Sequence, residues 1–146
     1  MICIDTNVAI AALNGRPPRV VDRLAEALTR GPVALPAPSL HELWYGAAKS
    51  TRIAENIDRI ERFLSAEIVV LPFDAEDARE AGFIRAHLKP LGIPIGNYDV
   101  LIAAQALRRG LTLVTANVGE FERVPGLIVV NWTTSGAERV RACCAA

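Results

Sequence analysis

Cysteine is scarce and wrongly placed for a structural framework. Of the three present, Cys3 stands alone near the start and Cys143 and Cys144 are adjacent near the end, with no CxxC spacing and only two histidines in the chain. A disulfide scaffold or zinc knuckle is thereby excluded, and a reducing compartment is the expected setting. Long apolar runs are missing too: none approaches the roughly 20 residues that span a bilayer. The opening Met1-Ile2-Cys3-Ile4-Asp5 carries no basic leader, so a cytoplasmic location without a membrane partner is expected. Net charge is also lacking, because sixteen basic residues cancel sixteen acidic ones. No global positive field draws this chain to nucleic acid; such a partner has to be held by a metal ion and a local basic strip.

What is present suffices for a folded domain. With 146 residues, 51% of them hydrophobic and 22% charged, the chain buries a core without staples. Ile2-Cys3-Ile4 reads as a strand stopped by Asp5-Thr6-Asn7, which open a helix that ends at Asn14-Gly15. Pro17-Pro18 starts a second helix with Val20, Val21, Leu24 and Leu28 on one face. Val33-Ala34-Leu35 is a short strand. Ser39 and Glu42 have capping-box spacing for a helix over about 39–49. Ile53, Ile57, Ile60 and Leu64 form the stripe of an amphipathic helix over about 51–65. Ile68-Val69-Val70-Leu71 is an apolar strand of the kind buried on both faces, and Asp74, Glu76 and Asp77 start the helix after it, which needs no role for them beyond helix-start electrostatics. Asp99 to Leu107 predicts a helix buried nearly all round. Two more strands follow at 111–115 and 127–130. Alternating strands and helices predict a three-layer α/β domain over 1–133 with a central parallel sheet of four to five strands, and 134–146 as a loose C-terminal tail.

In parallel sheets ligands gather at the carboxyl ends of strands. Asp5 ends the first strand, Glu42 follows the second, Asp99 opens the helix before the fourth, and Thr115 and Asn117 come directly after it. Three carboxylates meeting there repel one another unless a hard cation lies between them; Mg²⁺ suits an all-oxygen set, and a bound ion activates water and steadies charge on phosphate. Each residue also has a plainer reading: Asp5 as a helix cap, Glu42 as the capping-box partner of Ser39, and Asp99 as an N-cap. His41-Glu42 lacks the second histidine of a zinc-protease motif, since position 45 is Tyr. His87 reads as solvated, and Trp44, Tyr45 and Trp132 as core or interface rather than base-stacking platforms.

Four ordered segments carry a resemblance: Ile4-Asp5-Thr6-Asn7-Val8-Ala9-Ile10; Ser39-Leu40-His41-Glu42-Leu43-Trp44-Tyr45-Gly46; Tyr98-Asp99-Val100-Leu101-Ile102-Ala103-Ala104; and Val114-Thr115-Ala116-Asn117 through Glu120-Phe121. Together they closely resemble the PIN-domain family, specifically its VapC-type toxins of bacterial type II toxin–antitoxin systems, over about residues 1–132. The resemblance implies a Mg²⁺-dependent endoribonuclease, with Mn²⁺ as a substitute, that cleaves RNA by water attack and is neutralised by a VapB-type antitoxin. It implies catalytic and metal-holding roles for Asp5, Glu42 and Asp99, supporting roles for Thr6, Asn7, Thr115, Asn117 and Glu120, and a homodimer, for which the 51–65 stripe offers an apolar face. Where many PIN domains have a fourth carboxylate after the fourth strand, this chain has Asn117 and then Glu120, so one firmly held ion is expected and a second is left open. Lys49, Arg52, Arg85, Lys89, Arg108 and Arg109 are the candidate RNA-facing cations, each with the alternative of a solvated helix residue.

Other classes fit less well. A haloacid-dehalogenase-like phosphatase needs a second Asp where Asn7 stands, and a receiver module needs an acceptor Asp where Leu71-Pro72-Phe73 stands. A catalytically silent PIN-like module that binds RNA or protein is the remaining alternative, against which the three acidic positions speak.

Overall fold

The computed structural model describes residues 1–134 and the short strand Arg139–Arg141. Apolar runs of three or four residues make the strands β1 (Ile2–Ile4), β2 (Val33–Pro36), β3 (Ile68–Leu71), β4 (Thr112–Val114) and β5 (Ile128–Val130), all parallel, and β6 (Arg139–Arg141) adds to β5 antiparallel. Their order across the sheet is β3-β2-β1-β4-β5-β6. The α/β class and parallel sheet expected from the sequence are present, with β6 an addition. Part of the expected loose tail is therefore a sheet strand; the rest of it, with Cys143 and Cys144, lies outside the described residues.

Among the described residues seven helices cover the sheet: α1 (Thr6–Asn14), α2 (Pro18–Arg30), α3 (Ala37–Ala48), α4 (Ile53–Ser65), α5 (Ala75–Leu88), α6 (Asn97–Arg108) and the single turn α7 (Val118–Phe121). The pleat divides the core in two. Cys3, Leu113 and Val129 face α5 and α6, meeting Ala81, Ile84, Leu88, Ile102 and Ala103. Their neighbours Ile4, Val114 and Val130 face the opposite layer, meeting Val8 of α1, Val20 and Leu24 of α2, Leu43 of α3 and Ile60 of α4. Among the described residues no helix is long and apolar enough to cross a membrane.

Four local expectations are corrected. β3 is an edge strand, and Val69 is 41% exposed; an apolar run does not distinguish a central strand from an edge that one helix layer half covers. Ser39 caps nothing: α3 starts two residues earlier, behind Pro36, and the buried Ser39 hydroxyl has no hydrogen-bond partner. Proline at the first turn fixes a helical φ at no loss of a needed N–H, and this outweighs the Ser/Glu signal. α6 likewise begins at Asn97 behind Gly96, so Asp99 lies inside its first turn and is not its cap. The stripe of α4 is spent on the core: Ile60 is buried and Ile57, Phe63 and Leu64 pack beside it, leaving Ile53 47% exposed. It offers no continuous face for a second subunit.

Candidate active site

The sheet order reverses at β1. β2 and β3 lie to one side of it, β4 and β5 to the other, and the crevice beyond the carboxyl ends of β1 and β4 is where such sheets hold ligands. Ile4 pairs with Val114 across that seam, so Asp5 and Thr115 stand next to each other just beyond it. The Asp5 N–H donates to the Val114 carbonyl (3.1 Å), and the Thr115 hydroxyl donates to Asp5 Oδ2. That hydroxyl in turn accepts the N–H of Asn117 (2.9 Å), which fixes its proton on the Asp5 side. Asp5 Oδ1 accepts the N–H of Val8 (2.9 Å), so Asp5 does cap α1. The plain and the functional readings of Asp5 are compatible: capping holds a buried carboxylate in one orientation, and each oxygen keeps a second lone pair.

Two further carboxylates come from opposite layers. Glu42 lies half-buried on the second turn of α3 and, among the described residues, takes no part in a side-chain hydrogen bond. Asp99 comes from the first turn of α6, folded back over the helix start, where a Cβ on Gly96 would stand 3.0 Å from its Oδ2. Glu120 of α7 reaches the same helix start and accepts the Gly96 N–H at 3.3 Å. Exposed N–H groups at a helix N-terminus favour negative charge, which explains why two acids gather there.

Their electrostatics is frustrated. Burial pushes the Asp99 carboxyl up to about 7, helped by a hydrogen bond shared with Glu120 and by the charges of Glu120, Asp5 and Glu42. Glu120, steadied by the Gly96 N–H, moves the other way and keeps its charge. Burial also raises Asp5, against the opposing hydrogen bonds of Thr115, Val8 and Asn7 and with the help of Glu42's charge. Asp5 thus feels the charge of Glu42, and Asp99 the charges of Glu120, Asp5 and Glu42, across the crevice. Among the described residues no three acidic, histidine or cysteine side chains are drawn into a ready-made metal cage. Uncompensated like charges do not close on one another, and Mg²⁺ binds through one or two carboxylates plus waters and phosphate rather than through an all-protein cage. The donors are all hard oxygen, which suits that ion.

The supporting residues divide. Thr115 and Glu120 touch the carboxylates directly, and Asn117 reaches Thr115 through its N–H and Glu120 through its side chain. Thr6, the first residue of α1, is buried with its hydroxyl unpartnered, and Asn7 is exposed. Of the cations, Arg85 and Lys89 line a groove of about 580 Å³ between α5 and α6 that runs to Asn97 at the start of α6. Lys49 and Arg52 are exposed at the far end of α3, Arg52 beside Glu55 at 3.5 Å. Arg108 and Arg109 are engaged elsewhere. Asp77 is wholly buried and takes Arg109 Nη1 at 2.7 Å and Arg108 Nε at 2.8 Å, with Asp74 holding Arg108 Nη2 at 2.7 Å. Asp77 therefore does more than start a helix, and these arginines tie α5 to α6. Sequence reasoning also passed over Gly96, whose signal was its place three residues before an acid at a helix start.

Comparison with known proteins identifies the family and the fold. The family model described as PIN domain matches residues 2–127. The chain is 42% identical over 130 residues to the tRNA(fMet)-specific endonuclease VapC of Shigella flexneri, covering 89% of this chain and 96% of that protein. It superposes with a TM-score of 0.84 on a chain of VapBC2 from Rickettsia felis, solved bound to a DNA fragment from its promoter, at 35% identity over 90% of this chain and 99% of that one. A chain of DNA-bound VapBC from Salmonella typhimurium gives 0.82 at 37% identity, covering 90% and 99%.

Proposed function

The chain belongs to the PIN-domain family, and from that premise we propose that it is an endoribonuclease toxin of the VapC type, held silent by a VapB-type antitoxin, in which Asp5, Glu42 and Asp99 hold a Mg²⁺ ion. The observation that carries the catalytic assignment is the electrostatic strain at the seam where the sheet reverses: burial raises Asp5 and Asp99, and the charge of Glu42 raises both further. When bound, the ion neutralises them and supplies Lewis acidity to a phosphodiester and its attacking water; Mn²⁺ can take its place.

The chain's own groups do the positioning. Thr115 and the Val8 N–H keep Asp5 in one orientation, so one ligand is fixed before anything binds. Glu42, without such ties, closes from α3. Before the ion binds, Asp99 shares a proton with Glu120 at the start of α6, and binding the ion would release that proton and leave Asp99 as a charged ligand. Asn117 orients Thr115. Glu120 supplies the fourth carboxylate that Asn117 does not. The working domain is residues 1–133 with β6 added at its sheet edge, and a reducing cytoplasm suits the buried, unpaired Cys3, whose thiol burial and the Asp5 charge push up to about 12.

Antitoxin-free protein incubated with RNA and Mg²⁺ tests this. Cleavage is expected with the ion and not with EDTA, and Asp5→Asn and Asp99→Asn should each abolish it while circular dichroism shows an intact fold. Undiminished cutting by either variant moves the catalytic assignment elsewhere.

A further inference from the structure

The residue before Glu42 and the residue before Asp99 both carry rings at the surface. His41 and Tyr98 stand with centroids 5.4 Å apart and planes tilted by 41°; Tyr98 is 47% exposed, and His41 is exposed as well. One turn along α3, Tyr45 is 60% exposed, and Lys49 Nζ lies 4.8 Å over its ring. His41, Tyr45 and Lys49 follow at four-residue intervals, so they share one stripe of the helix roughly 12 Å long. Neither tyrosine packs into either half of the core, so burial does not account for them. An exposed large ring is the informative kind of surface residue when several line up beside a reactive site.

Flat faces alternating with a cation match an unpaired nucleotide strand. Every base has a π-face that stacks on an aromatic side chain, and an ammonium group serves the phosphate between bases. A duplex offers phosphates but no free base faces, because its bases are already stacked on each other. A protein surface fits less well: Glu42 borders the stripe and Lys49 stands within it, and charged residues are depleted from the cores of protein interfaces.

Resting on the ribonuclease reading, we propose that Tyr98 with His41, and Tyr45 with Lys49, form a stacking platform that receives unpaired bases of the substrate RNA beside the scissile phosphate. The pair next to the carboxylates takes the base adjoining the cut, and the Tyr45–Lys49 step takes the following one. The platform selects single-stranded or looped RNA and tolerates many sequences, since it reads faces and not base edges.

The test combines steady-state cleavage of a short single-stranded RNA oligonucleotide with its binding, by fluorescence anisotropy, to the same variants carrying Asp5→Asn. Loss of one stacked ring weakens binding by about 5- to 100-fold, so Tyr98→Leu and Tyr45→Leu should each raise KM and Kd by roughly tenfold while kcat moves far less. Tyr98→Phe should restore both values, because the ring and not the hydroxyl is used. Leucine variants with wild-type KM, Kd and cut positions overturn the platform. So does a halving of their mass in sedimentation, which reassigns the rings to contact between copies of this chain. A wild-type protein that binds the oligonucleotide through these rings yet cuts no RNA leaves the platform standing and defeats the ribonuclease reading alone.

Discussion

Replacing Asp77 with alanine should cost the fold about 3 kcal/mol while leaving the crevice chemistry of the folded molecule in place. The side chain is wholly buried, accepts Arg109 Nη1 at 2.7 Å and Nη2 at 3.1 Å and Arg108 Nε at 2.8 Å, and returns the capping-box bond from the Asp74 N–H at 2.9 Å. Removing one partner of a buried ion pair costs about 3–5 kcal/mol. Here the arginine side chains are 31% and 23% exposed, so water recovers part of their solvation. Loss of the capping bond adds about 0.5–1.5 kcal/mol. The net figure of about 3 kcal/mol corresponds to a fall in Tm of roughly 6–12 °C for a domain of this size.

The pH dependence has a definite sign. Burial raises the Asp77 carboxyl, but the Arg109 hydrogen bond, the Asp74 N–H and Arg108 outweigh it and hold the group well below the usual carboxylate range. A depressed acid contributes stability above its unfolded pKa and loses it as pH falls toward the folded one. The gap between wild type and variant is therefore full at pH 7 and narrows by about 1 kcal/mol at pH 3. Urea unfolding followed by circular dichroism at both pH values measures it. A gap below 1 kcal/mol at pH 7, or one that does not shrink at pH 3, refutes the idea that this buried acid is held by its arginines.

Asp99, raised to about 7, has the opposite sign: stability it supplies below pH about 4 is lost as pH climbs to about 7. Calorimetry of metal-free protein should show Tm falling from pH 5 to 8, with the fall much reduced in Asp99→Asn. Millimolar Mg²⁺ should raise Tm more at pH 8 than at pH 5.5, since ion and protons compete for the same oxygens. Gly96→Ala places a methyl 3.0 Å from Asp99 Oδ2; the displaced carboxylate should lower kcat/KM by about tenfold with little change in Tm. Ser39→Ala should leave stability within about 0.5 kcal/mol of wild type, because the hydroxyl it removes has no partner. A working cap would instead cost about 1 kcal/mol, so denaturation midpoints separate the two.

How far the sequence could be read depended on how local each cause was. β1, β4 and their ends were legible because an apolar run followed by Asp5 or Thr115 is a signal within five residues. The edge position of β3 was not, since strand order is set by which crossovers pack and leaves no mark in Ile68–Leu71. Ser39 misled because its spacing to Glu42 imitates a capping box, and only the placement of Pro36 and Pro38 decides where the chain enters α3. That correction strengthens the site, for it removes the plain explanation of Glu42. The role of Asp77 depends on arginines more than thirty residues away on another helix, a pairing that no short pattern encodes.

The difference between Asp5 and Glu42 bears on how such a site is built. Both oxygens of Asp5 are engaged by donors that belong to the frame, the start of α1 and the end of β4, so it is positioned by the same contacts that join β1 to its neighbours. Glu42 and Asp99 come from helices in opposite layers and bring charge without such ties to the sheet. In the proposed metal site Asp5 would therefore be the fixed ligand and Glu42 and Asp99 the ones that move, and a bound cation would relieve the repulsion among the carboxylates. Occupancy should accordingly stiffen the starts of α3 and α6 far more than the turn at Asp5. Amide hydrogen exchange with and without Mg²⁺ should show added protection at 40–44 and 97–101 and little at 5–9; the reverse pattern would mean that the frame, and not the helices, adapts to the ion.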